Sequence, residues 1–158
     1  IDPETTGASA VAYFWGLMTI GGILGLVLMK LYDSKQILKW FTILAMVCVA
    51  SGLFGGEQIA LWAFPISGFF LSVMYPVIVS LGLNSVSKHH GSFAGILMTG
   101  IAGGAVVQIL IGGLSDITSL KVGMMFIFIT LGYILSISFW AKPLVNNKTI
   151  SSIKDIFK

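Results

Sequence analysis

The sequence predicts an all-α integral membrane protein with five transmembrane helices. Hydrophobic residues make up 56% of the chain and charged residues only 9%, too little charge for the polar surface of a soluble domain. Five stretches are free of charge apart from Lys39, and about twenty helical residues cover roughly 30 Å, the thickness of the hydrocarbon core. The predicted spans are residues 8–29, 37–54, 59–83, 93–114 and 122–141.

The lysines indicate how these spans are oriented. Eight of the nine lysines lie near the ends of the spans that face one side of the membrane, and Lys121 lies on the other side. Because cytoplasmic loops carry the excess of basic residues, we expect the chain to begin outside and to end in the cytoplasm. Residues 1–145 would then form a transmembrane bundle and residues 146–158 a cytoplasmic tail. The net charge of +3 thus reflects membrane topology and not nucleic-acid binding.

Spans one, two and five differ in character. Span one contains Gly21 and Gly25, a spacing of small residues that is typical of close helix packing in membranes. Spans two and five consist almost entirely of Ile, Leu, Met, Phe and Val, with scattered Ser and Thr. We expect these two spans to face lipid.

Span three carries a stripe of small and polar residues. Gly68, Ser72, Tyr75 and Gly82 recur at helical spacing, with Tyr75 near mid-depth. Pro76 has no backbone N–H and should free a carbonyl near Ser72, which loosens the helix beside the tyrosine. Tyr75 is either a buried residue with a bonded hydroxyl or part of a polar pathway.

Span four contains glycines and one amide. Gly100, Gly104, Gln108 and Gly112 fall close to one helical stripe, and Gly103 is next to it. Such glycines pack helices closely or let a helix bend. The amide of Gln108 is costly to expose to lipid, so it either bonds a neighbouring helix or lines a polar cavity.

The sequence does not favour an enzyme. His89 and His90 lie in a predicted loop, and Asp116 lies at the opposite membrane face, so no nucleophile and base can meet at one depth. There is no metal-ligand cluster, and we expect no catalytic residue, metal or cofactor.

The order of motifs resembles the C-terminal half of the fucose:proton symporter family of the major facilitator superfamily. The likeness covers residues 20–141 in matching order. It is carried by the motifs SVMYPVIVSLGL at 72–83, GS at 91–92, GGA at 103–105 and GGLSD at 112–116. The five spans would correspond to helices eight to twelve of a twelve-helix carrier, a partial C-terminal bundle of that fold.

This resemblance implies a function. The chain would be part of a secondary active transporter that moves a fucose-like or other monosaccharide across the inner membrane by alternating access, coupled to a proton. Tyr75, Ser72 and Gln108 would contact the sugar. Residues involved in helix packing or movement would be Gly21, Gly25, Pro76, Gly100, Gly103, Gly104 and Gly112.

The sequence differs from the family pattern at two places, and one alternative function remains open. Gly22 replaces an arginine that the family often has in helix eight, and residues 106–109 lack a common proline. Since none of the spans has an ionisable side chain near mid-depth, the proton site is expected in an N-terminal half of the transporter, the partner of this bundle. The alternative is a small multi-span interaction or channel subunit without transport chemistry.

The predicted orientation can be tested with single cysteines in a Cys48→Ala background. In intact cells that express the complete protein, a membrane-impermeant maleimide should label Gly56→Cys but not Ser87→Cys, because the two loops lie on opposite sides. Permeabilised cells, in which both positions should react, are the control. If only Ser87→Cys is labelled in intact cells, the protein has the opposite orientation in the membrane.

Overall fold

The computed structural model describes residues 3–145, which form seven α-helices. The predicted tail, residues 146–158, lies outside the described residues. The helices are α1 (Pro3–Leu31), α2 (Ser34–Phe54), α3 (Glu57–Leu71), α4 (Met74–Leu83), α5 (His90–Thr99), α6 (Ala102–Ile117) and α7 (Leu120–Trp140).

Within this part of the chain, five helical segments are long and apolar enough to cross a membrane, which confirms the predicted number of spans. Three of them are α1, α2 and α7. Span three consists of α3 followed by α4, and span four of α5 followed by α6. The chain is therefore a multi-pass membrane protein. Span three is loosened just before Pro76, as the sequence predicted, whereas the irregular turn inside span four was not predicted.

All five spans begin a few residues before the predicted bounds, and in α2 and α7 a polar side chain completes the first turn. The Asp33 carboxylate accepts a hydrogen bond from the backbone N–H of Lys35, 3.0 Å away, at the start of α2. The Ser119 hydroxyl accepts one from the N–H of Val122 at 3.4 Å, at the start of α7. These side chains replace the intrahelical partners that the first N–H groups lack.

Helix α2 lies at the centre of the bundle. It packs against α3, α4 and α7, and its span has the largest buried share of the five. The expectation that span two faces lipid was therefore wrong. A helix that is apolar all round fits a protein interior as well as it fits lipid, so hydropathy does not distinguish the two. The main core cluster comprises Ile37, Leu38, Ala45, Val73, Met74, Val77, Leu81 and Leu131.

Helix α1 packs closely on span three through glycines. Gly21 and Gly25 are buried, and a Cβ atom on Gly25 would lie 2.7 Å from Cγ2 of Val73. A Cβ on Gly21 would lie 2.5 Å from the carbonyl oxygen of Phe69 and would also meet the Ser72 hydroxyl. From the other side, a Cβ on Gly68 would lie 2.8 Å from the carbonyl oxygen of Phe14. The two backbones approach this closely only because these residues have no side chain.

Helices α2 and α7 are antiparallel neighbours with a cation–π contact at each end. The Lys39 ammonium lies 5.0 Å from the ring centre of Phe139, and the Lys121 ammonium lies 5.3 Å from that of Phe54. Contacts of this length are attractive, and more so when partly desolvated. They hold the pair in register where each helix reaches the membrane surface.

The close contact at Gly21 predicts a cost for adding a single methyl group. Gly21→Ala should lower the free energy of unfolding by about 1–3 kcal/mol, because the backbone of Phe69 must move. Gly22→Ala is the matched control, since nothing lies within 4 Å of its Cβ position. It should be neutral or stabilising, by up to about 1 kcal/mol from helix propensity.

Thermal unfolding of the detergent-purified protein measures both variants. Equal unfolding midpoints for Gly21→Ala and Gly22→Ala would contradict the close approach of α1 to α3.

Candidate functional site

Two helix interruptions define the candidate site. The regular helical hydrogen bonding of span three is interrupted at Ser72 and Val73, between α3 and α4, and that of span four at Gly100 and Ile101, between α5 and α6, although all four residues keep right-handed helical backbone angles. Broken helices in membrane transporters often surround the binding site, because their ends present backbone groups and can reorient.

The first interruption lies where the sequence places the free carbonyl. Pro76 has no N–H with which to bond the carbonyl four residues earlier, that of Ser72. Hydrogen bonds resume on either side: the Ser72 N–H donates to the Gly68 carbonyl at 3.1 Å, and the Val77 N–H donates to the Val73 carbonyl at 3.2 Å. Pro65 is also inside span three, yet α3 continues through it, so proline alone does not break the helix.

The second interruption is a short tightened turn rich in glycine. The Ile101 N–H donates to the Met98 carbonyl at 3.1 Å, and the Gly103 and Gly104 N–H groups each donate to a carbonyl three residues earlier at 3.0 Å. This is the spacing of a 3₁₀ helix, which is often found within α-helices at hinges. Most of the backbone groups here therefore remain bonded although the α-helical spacing is lost.

The two interruptions lie at the same depth. Helices α4 and α5 follow each other in the chain, contact each other and have ten residues each. Ten residues rise about 15 Å, half the hydrocarbon thickness, so we expect both interruptions near the middle of the membrane. We call α4, residues 84–89 and α5 the half-span hairpin.

One side-chain hydrogen bond joins the hairpin beside both interruptions. The Tyr75 hydroxyl donates to the Met98 sulfur at 3.3 Å. Tyr75 is the second residue of α4, and Met98 is the second-last residue of α5. Their side chains are 43% and 56% exposed, so the contact lies on an open face of the described structure.

The other predicted sugar contacts do not join this pair. The Ser72 hydroxyl donates to the Phe69 carbonyl at 2.7 Å and lies against Gly21 of α1, whereas Tyr75 points into the open. The predicted stripe of span three is therefore not one surface: Gly68 and Ser72 face α1, and Tyr75 is exposed.

Gln108 lies on an exposed face of α6. The side of α6 that packs on α7 carries Ile111 and Ser115, which lie against Gly123. No other described atom lies within 4 Å of a Cβ position at Gly103, Gly104 or Gly112, and a Cβ at Gly100 would meet only Leu97. These glycines therefore pack against no other helix of residues 3–145, unlike Gly21 and Gly25.

Met98 was not among the site residues predicted from the sequence. It is 23 positions from Tyr75, and methionine in an apolar span carries no signal of its own. Its position two residues before Gly100 would have been informative only with the helix break known. In residues 3–145, no three His, Cys, Asp or Glu side chains cluster as metal ligands would.

The chain is similar in sequence to bacterial sugar transporters. The chain is 32% identical to a glucose/galactose transporter of Brucella abortus over 131 residues, which are 83% of this chain and 32% of that protein. It is 30% identical to a putative glucose/galactose transporter of Helicobacter pylori over 116 residues, 73% of this chain and 28% of that protein.

The L-fucose-proton symporter of Escherichia coli is 32% identical over 120 residues, 72% of this chain and 27% of that protein. The chain is thus related to bacterial sugar transporters, and its resemblance to the fucose:proton symporter family of the major facilitator superfamily is confirmed. It spans about a third of the length of these relatives. No family model and no solved structure matches the chain.

The role of Pro76 in the first interruption can be tested by Pro76→Ala. Alanine supplies an N–H that can bond the Ser72 carbonyl, so amide hydrogen exchange in residues 72–77 should slow about fivefold, as one added hydrogen bond of about 1 kcal/mol predicts. Pro65→Ala is the control, because α3 is already continuous there. Unchanged exchange at 72–77 would mean that packing, and not proline, breaks the helix.

Proposed function

We propose that this chain is part of a secondary active transporter that moves a monosaccharide across the membrane by alternating access. The names of its relatives support glucose, galactose or a fucose-like sugar as the substrate class. They favour a transporter over the alternative, a small interaction or channel subunit, and over an enzyme.

The observation that carries this proposal is the pair of interruptions at one depth, bridged by Tyr75 and Met98. Alternating access requires a site near the bilayer midplane whose surrounding helices can change direction. Residues 72–73 and 100–101 are such points, and an open tyrosine hydroxyl lies between them.

Sugar binding would combine polar groups from both broken spans. The Tyr75 hydroxyl can both donate and accept a hydrogen bond. The Gln108 amide can donate through its NH₂ group and accept through its carbonyl oxygen. Ser72 would contribute mainly through the carbonyl that Pro76 cannot bond, since its hydroxyl donates to Phe69 beside α1. Gly100, Gly103 and Gly104 would permit the movement of α6, and Gly112 would leave space for a neighbouring helix.

Proton coupling is assigned to a group outside residues 3–145. Moving a proton with the sugar requires an ionisable side chain within the membrane. In the described spans, the charged residues lie in the first two turns or the last two turns of a span, as Lys30, Lys39 and Asp116 do.

The proposed sugar contact predicts the effect of Tyr75→Phe in the complete transporter. Loss of one neutral hydrogen bond of about 0.5–1.5 kcal/mol should weaken sugar affinity roughly two- to twelvefold. The unfolding temperature should stay the same, because the ring is retained. The readouts are the equilibrium dissociation constant and the KM of uptake into proteoliposomes.

Tyr133→Phe provides the matched control. Tyr133 is on α7, and its side chain is 65% exposed, so removal of its hydroxyl should leave sugar affinity unchanged. Wild-type uptake kinetics in Tyr75→Phe would remove Tyr75 from the binding site.

A further inference from the structure

The hydrogen bond between Tyr75 and Met98 has an unusual acceptor. A thioether sulfur accepts hydrogen bonds weakly, whereas hydroxyl, amide and carbonyl oxygens are strong acceptors. The bond is nevertheless the one that connects α4 to α5 beside both interruptions, with 3.3 Å between the hydroxyl oxygen and the sulfur. A weak bond at this position holds the hydroxyl without binding it tightly.

Both partners are accessible to a ligand. The side chains of Tyr75 and Met98 are each about half exposed, so a molecule can reach the hydroxyl without first unfolding a buried contact. Methionine is unbranched and has three rotatable bonds, so its sulfur can withdraw at low cost. A sugar oxygen would then be a better acceptor for the tyrosine hydroxyl than the sulfur it replaces.

We propose that Met98 is a positioning residue that holds the Tyr75 hydroxyl in the sugar-free transporter and is displaced when a monosaccharide binds. This inference rests on the proposed function of Tyr75. Before binding, the contact ties α4 to α5 beside the two interruptions. On sugar binding the hydroxyl exchanges its hydrogen bond to the sulfur for one to the sugar, which removes this link between α4 and α5. Met98 thereby sets the sugar affinity without contacting the sugar.

The proposal predicts opposite effects for two substitutions of similar size. Met98→Leu keeps the volume but removes the acceptor, so the hydroxyl no longer has a competing partner and sugar affinity should rise about threefold. Met98→Gln supplies a stronger acceptor, an amide oxygen, so affinity should fall about threefold. In a Tyr75→Phe background, neither substitution should change affinity, because the donor is absent.

The experiment measures equilibrium binding to the complete, purified transporter. The probe is whichever of D-glucose, D-galactose and L-fucose the wild-type protein binds most tightly, titrated by calorimetry. Met125→Leu is the matched control, because Met125 is an exposed methionine of α7 and should not affect binding. Unfolding temperatures establish that each variant is folded. Met98→Ala, which also lacks the acceptor, replaces Met98→Leu if that variant fails to fold.

Each outcome decides between the claims. Sugar affinity that rises in Met98→Leu and falls in Met98→Gln, with both changes absent in the Tyr75→Phe background, supports the positioning role of Met98. If both variants change sugar affinity in the same direction, or if the changes persist without the tyrosine hydroxyl, the role of Met98 is purely structural and the proposal is overturned. No effect of Met98→Leu while Tyr75→Phe loses affinity overturns the inference but leaves the proposed function intact. No effect of Tyr75→Phe on affinity overturns the inference and removes Tyr75 from the binding site, and no binding of any of the three sugars overturns the proposed function as well.

Discussion

Backbone N–H and C=O groups in the hydrocarbon core have no water to bond, and this constraint governs every break in a membrane helix. Around Gly100 and Ile101, backbone N–H groups satisfy this constraint by hydrogen bonds to carbonyls three residues earlier. The Ser72 carbonyl lacks its usual helical donor, because Pro76 has no N–H. Such a carbonyl is tolerated where it faces a polar cavity or other protein.

The parts of the bundle differ in how firmly they are held. Helix α4 contributes Met74, Val77 and Leu81 to the core around α2, so it is anchored despite the interruption before it. Helices α5 and α6 have no buried residue within the described structure. The Tyr75–Met98 contact joins the anchored helix α4 to α5, which has no buried residue of its own in this part of the chain.

Hydropathy and charge predicted the five spans well, because burying charge in lipid is so costly that few sequences violate the pattern. Which helix faces protein was harder to predict. Span two was expected to face lipid and instead forms the centre of the core, since lipid tails and a protein interior are equally apolar. The stripe from Gly68 to Tyr75 is covered by α1 at Gly68 and Ser72 but exposed at Tyr75, and the sequence pattern did not show where the packed surface ends. Gly21 and Gly25 were predicted from spacing alone, and both lie where span three approaches most closely.

The sequence by itself determined immersion in lipid, the number of spans and the weak point before Pro76, because each depends on local chain chemistry: transfer free energy per residue, helical rise and a missing N–H. Tertiary structure decided which faces are covered, and it placed the two interruptions side by side. It also gave the Tyr75 hydroxyl its partner in Met98, 23 residues away. Such contacts depend on how helices of equal hydrophobicity pack against one another, and that is set by the shapes of facing surfaces, which no local pattern in the chain encodes.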